Sequence, residues 1–140
     1  MSLKTRSISY VHCDVFAPIP FTGNSLAVFP WRGDLTSAQM LSITQELRHF
    51  ETIFLEPTKD PYRFSARVYD LFEELPFAGH PVIGAACTMH AKQFPEISGP
   101  IIWIVDLAGG RSVELETLRN GEGYEGCLDQ GKPQFINTLS

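Results

Sequence analysis

Gly79-His80-Pro81, inside the run Glu74-Leu75-Pro76-Phe77-Ala78-Gly79-His80-Pro81, sets an ionisable imidazole where a flexible glycine meets the start of a helix. Proline is favoured at the first helical position and carries no amide hydrogen. With Pro81 there, the amides of Val82 and Ile83 are expected to lie open beside His80. Open amides and the positive end of a helix suit a carboxylate or a developing enolate. Gly79 either lets a ligand approach the backbone or is only a turn glycine needing a positive φ. A histidine in such a place is as often a structural cap. Glu51 stands between an amphipathic helix and a strand expected to be buried, where desolvation suits a carboxyl to give and take a proton. The commoner fate of a glutamate is the surface. Asn24, in a Gly-Asn turn, can hydrogen-bond a carboxylate or merely shape the turn.

Other chemistries find less in the residues. His12, His49, His80 and His90 form neither an HExxH motif nor an i, i+4 pair, so no metal is expected. No phosphate-binding loop with its lysine is present, Gly109-Gly110 reads as a turn, and no cofactor is expected. Cys13, Cys87 and Cys127 are odd in number and lack CxxC spacing, which fits a reducing cytoplasm. Cys87 lies about two turns into a helix on an apolar face, where a thiol packs.

The elements that must position these groups come from pattern. The chain has 140 residues, 44% of them hydrophobic, with ten phenylalanines, enough for the core of one domain. A net charge of −5 without a basic cluster argues against nucleic acid. The N-terminus has no apolar export segment. The uncharged span from Leu75 to Ala91 is broken by prolines and glycines and is short for a bilayer, so it reads as core rather than a membrane span.

Ser7 to Phe16 alternates Val11, Cys13, Val15 with Tyr10, His12, Asp14 and predicts a strand, then a loop through Pro18 and Pro20, then a short strand over Leu26 to Phe29. Thr36-Ser37-Ala38-Gln39 matches a capping box, with Leu35 and Met40 spaced as a hydrophobic staple. A helix to about His49 follows, its stripe being Met40, Ile43, Thr44 and Leu47. Thr52–Leu55 and Tyr62–Tyr69 predict a hairpin, Pro81 to about Lys92 a helix apolar nearly all round, and Ile101–Val105, Ser112–Leu118 and Tyr124–Leu128 further strands. About seven strands result. The fold class is α+β: a strongly bent, mostly antiparallel, barrel-like sheet wrapped around a central apolar helix, with one amphipathic helix outside.

Asp14-Val15-Phe16, Phe21-Thr22-Gly23-Asn24 leading to Leu26-Ala27-Val28-Phe29, Glu51-Thr52 at a strand start, and Glu74 to Pro81 follow one another from about Tyr10 to Phe135. In this the chain resembles the phenazine-biosynthesis PhzF-like isomerases, which have the diaminopimelate epimerase fold. The resemblance implies two pseudo-symmetric domains with an active site between them. The present chain, running past Gly131-Lys132-Pro133-Gln134-Phe135, corresponds to the N-terminal one. It implies that Glu51 takes a proton from one carbon of a small carboxylate substrate and returns it to another on the same face, without cofactor or metal. Gly79, His80, Asn24, Val82 and Ile83 would bind that substrate. Many members carry asparagine and serine where this chain has Arg48-His49-Phe50, which implies a different substrate size or charge.

Two other functions fit the same residues. One is a non-catalytic binding or assembly module that keeps the fold. The other is a racemase or epimerase of this fold, whose cysteine-dependent members place a thiol where this chain has His80. Pairing with a second copy, or with a second-domain chain, is the expected way to complete the cleft.

Overall fold

Alternation decides which side chains of the first strands turn inward. The computed structural model describes residues 7–15 and 24–128, and the backbone of 134–139. Phe16, Pro18, Pro20, Phe21, Thr22 and Gly23, with Gly131, Lys132 and Pro133, lie outside the described residues. β1 (Val11–Val15) and β2 (Asn24–Phe29) pair antiparallel, with Val11 opposite Val28 and Val15 opposite Asn24. Val11, Cys13, Val15, Leu26 and Val28 turn into the main core, whereas Ala27 and Phe29 turn into a second, smaller cluster. A period of two produces this split when both faces of a sheet are covered.

The cover on the outer face is α1 (Ser37–Leu47). The Gln39 amide donates to Thr36 Oγ1 at 3.2 Å and the Thr36 amide donates to Gln39 Oε1 at 2.9 Å, so the expected capping box is formed. Met40, Ile43 and Leu47 of the helix, with Leu35 before it, join Ala27, Phe29, Phe54 and Tyr69 in the second cluster. Gln39, Gln45 and Glu46 face water. The helix stops at Leu47, short of the expected His49. Arg48 takes the left-handed conformation (φ 56°, ψ 27°) and its amide turns back to the Thr44 carbonyl at 3.1 Å.

β3 (Glu51–Pro57) and β4 (Arg63–Tyr69) form the expected hairpin, Thr52 opposite Tyr69 and Pro57 opposite Phe64. β5 (Glu74–Leu75), α2 (Gly79–Gln93), β6 (Ile101–Asp106), β7 (Ser112–Asn120), β8 (Gly123–Leu128) and β9 (Gln134–Leu139) follow. The sheet order is β3-β2-β1-β9-β8-β7-β6-β4-β5, and β3 also pairs with β4, so the sheet closes on itself. Only β2–β3 and β4–β6 run parallel. The two strands beyond the seven expected are β5, two residues long, and β9, which is made by its pairing with β1 and β8.

Inside the ring runs α2, packed against β1, β2, β3, β6, β7, β8 and β9 and sharing its core with Phe64, Ala66 and Val68 of β4. Pro81 through His90 are all buried. Backbone and wall come close: a Cβ on Gly84 would lie 2.4 Å from Leu26 Cδ2, and one on Gly126 2.6 Å from Ile83 Cγ2. The C-terminal end of the helix is sealed by a polar network. His90 Nε2 lies 2.6 Å from the Ile97 carbonyl and Nδ1 2.8 Å from Thr117 Oγ1, which accepts from Trp103 Nε1 at 2.8 Å. A carbonyl only accepts, so Nε2 carries the proton and the Thr117 hydroxyl donates to Nδ1. Both ring nitrogens are thereby satisfied.

Candidate active site

The opposite end of α2 is built differently. Ala78, in extended conformation (φ −150°, ψ 123°), is the cap and offers no side-chain hydrogen bond. The helix begins at Gly79, which makes Pro81 its third residue rather than its first. This corrects the expectation for Val82 and Ile83: the Val82 amide donates to the Ala78 carbonyl at 3.4 Å, and Ile83, one residue further, is inside the helical ladder. Their side chains are buried in the core. Proline is tolerated throughout a first turn, where no amide is needed, so its position alone does not set the start. The amide of Gly79, the first residue of α2, has no acceptor within the helix.

Gly79 is not among the glycines with positive φ, which among the described residues are Gly33, Gly99, Gly109, Gly110 and Gly121. A Cβ there would meet only Leu128 Cδ1, at an ordinary 3.7 Å. The turn-glycine account of Gly79 therefore fails: neither its conformation nor its packing asks for glycine. Close approach of a ligand would.

Glu51 opens β3 in parallel register with Leu26, and its exposure is only 5%. His80 Nε2 lies 2.8 Å from Glu51 Oε1, both side chains being largely withdrawn from water. Asn24, at the exposed start of β2, shares a strand face with Leu26, the register partner of Glu51. The Phe50 amide donates to Ser25 Oγ at 3.2 Å, tying the residue before Glu51 to β2. The Phe50 ring stands 5.9 Å from that of His80. Glu51, His80, Gly79 and Asn24 thus occupy one end of the barrel.

A cavity of about 590 Å³ opens beside Glu51, with Arg48, Phe50, Leu71, Phe72 and Leu75 on its walls. The segment Asp70–Glu73 was not singled out by sequence reasoning. Its signal was local: an aspartate two residues before an apolar residue in a non-periodic stretch, which is an Asx turn. Asp70 Oδ1 accepts from the Phe72 amide at 2.7 Å and the Glu73 amide at 2.8 Å, and Gln45 Nε2 donates to the Leu71 carbonyl at 3.0 Å. Glu74 receives Arg67 in a two-pronged ion pair, and Arg67 also reaches Ser37 Oγ, so β4, β5 and α1 are tied together here.

His49 also borders the cavity, and its ring lies 4.4 Å from that of His12. Partial burial, and then the neighbouring His12, lower its pKa below the usual 6.5. The thiols sit elsewhere. Cys13 Sγ is 3.2 Å from Thr88 Oγ1 and burial pushes it up to about 11, while complete burial lifts Cys87 well above its ordinary range. Neither is a ready thiolate, and neither stands at the start of α2. Among the described residues no three His, Cys, Asp or Glu side chains group as metal ligands, and no helix is long and apolar enough to cross a membrane.

Comparison with known proteins adds the following. A family model described as phenazine biosynthesis-like protein matches residues 13–139. A trans-2,3-dihydro-3-hydroxyanthranilate isomerase of Pseudomonas fluorescens is 33% identical over 91% of this chain and 44% of its own length. The structure of a "predicted epimerase" from Pseudomonas aeruginosa superposes with a TM-score of 0.83 at 46% identity, covering 90% of this chain and 44% of that one. A PhzF-family phenazine biosynthesis protein of Bacillus anthracis, at 17% identity and a TM-score of 0.72, covers 89% of this chain and 40% of its own and shares the fold. The chain spans less than half the length of each.

Proposed function

Because the chain belongs to the phenazine biosynthesis-like family, we propose that it forms one wall of the active site of a cofactor-independent isomerase, with Glu51 as the proton carrier. The observation that carries this reading is the 2.8 Å approach of the buried Glu51 carboxyl to His80 at the amide-bearing end of α2. The Glu51 carboxylate takes a proton from a carbon conjugated with the substrate's carboxylate. The electron pair of the broken C–H bond moves into that carboxylate as an enolate. The Gly79 amide and the positive helix end stabilise the added charge, and the His80 imidazole holds the acid in line. Glu51 then returns the proton to a second carbon on the same face, so that the double bond shifts and nothing is consumed. Asn24 is assigned to the substrate's edge.

The first compound to try is trans-2,3-dihydro-3-hydroxyanthranilate, since a relative is named for it. With an accepted substrate in deuterated water, the Glu51→Gln protein should stop incorporating deuterium. Retained exchange would remove Glu51 from the mechanism. The opposite wall is assigned to a second copy, a paired chain or the other half of a relative-length protein. Two large aromatic side chains standing in water at the cavity favour a second reading, a non-catalytic binding module. Binding of the same compound with no exchange in the unaltered protein would select it.

A further inference from the structure

We propose that Phe50 and Phe72 form an apolar clamp that makes the cavity beside Glu51 prefer carboxylates carried on a flat ring. The proposal rests on the reading of the site given above. Phe50 is 62% exposed and Phe72 82%, although phenylalanine ordinarily hides from water. Neither hangs on loose chain. Phe50 is bound through its amide to Ser25 and enters β3 at the next residue. Phe72 is held by the Asp70 carboxylate in a turn closed by the Asp70 amide donating to the Glu73 carbonyl at 3.0 Å. Backbone anchored in this way spares a ligand the cost of ordering the chain that carries the rings.

The space they border suits a small molecule. Its volume of about 590 Å³ lies within the range usual for ligand pockets, about 300–1,000 Å³. Leu71 and Leu75, half-buried, extend the apolar wall, while Arg48 and Glu51 supply polar groups. A ring seated against Phe50 is beside His80, whose own ring is 5.9 Å away, and so beside the proposed acid–base pair. A concave space reaching a buried carboxyl fits a substrate better than it fits a flat protein surface.

The test uses the 140-residue chain, titrated separately with benzoate and propionate and followed through the amide resonances of Gly79 and His80. Benzoate should bind about tenfold more tightly, as expected for one aromatic face covered. Phe50→Ser and Phe72→Ser should each cut that ratio, and the double variant should abolish it, with propionate affinity unchanged. Both side chains are exposed, so the variants should melt as the parent does. An unchanged ratio in the double variant overturns the clamp and leaves the site standing. No response to either acid in the parent chain overturns both. If Phe72→Ser turns a dimer into a monomer in sedimentation and spares the ratio, the rings are a protein interface and the clamp is wrong.

Discussion

His80 and His90 stand at opposite ends of α2, about 15 Å apart along its axis at ~1.5 Å per residue. At the His90 end the buried side-chain groups satisfy one another: the imidazole meets the Ile97 carbonyl and the Thr117 hydroxyl, which also meets the Trp103 indole. At the His80 end the cap has no side-chain bond, the Gly79 amide has no helical acceptor, a carboxyl is buried against an imidazole, and a cavity lies alongside. One helix, with one residue type near each terminus, thus has a closed end and an open one. Local rules are satisfied where the barrel needs stability and relaxed at the end where the proposed site lies.

The contrast can be broken most severely at Glu51. Its replacement by glutamine should lower substrate proton exchange by about 10²–10⁴-fold, the usual contribution of a positioned acid or base, while the melting curve hardly moves. A large loss of stability would mean that the open end is structural after all. At the closed end the expectation reverses. His90→Leu leaves the Ile97 carbonyl and Thr117 hydroxyl without their partner and should cost about 2–4 kcal/mol in denaturant unfolding, with ligand binding intact.

Gly79→Ala sharpens the contrast more finely. Alanine fits the conformation and the space, so stability should hold or rise by up to about 1 kcal/mol. Carboxylate affinity at the Gly79 amide should fall, read by the benzoate titration. The smallest effect belongs to His49. Its folded pKa is depressed, so the unfolded chain binds the proton more readily. Stability from this group is complete above pH 6.5 and is lost as pH falls below 6.5 through the folded value. His49→Asn should flatten that acid limb in unfolding measured from pH 7.5 to 5. An unchanged slope would show that burial and His12 do not depress His49 in the folded chain.

Much of the closed half of the molecule was legible in sequence because it obeys periodicity. The alternation of β1, the capping box of Thr36 and Gln39, and the all-round apolar surface of α2 each announce a partner. At the open end, Glu51, His80, Gly79 and Asn24 stood out through their motifs, but their surroundings did not. Ala78 as a cap carries no side-chain signal, so the helix start was placed two residues late and the amides of Val82 and Ile83 were assigned wrongly. β9 is a strand through what it pairs with rather than through a pattern of its own. The Asp70–Glu73 turn reaches the cavity only after the β3–β4 hairpin has folded back on itself.

Closure of the ring has a consequence for how the chain is made. β1 and β9 are the first and last described strands, and they are neighbours, Val15 facing Ile136. A nascent chain emerging from the ribosome can complete the β3–β4 hairpin and cap α1 early, but it cannot finish the barrel until β9 is released. Until then β1 and β8 present unpaired edges, open to other chains. Pairing between distant parts of a sequence is also slow to form, since loop closure comes before any contact rewards it. A chain cut just before Gln134 should therefore aggregate during synthesis, even though every residue of the proposed site is already in place.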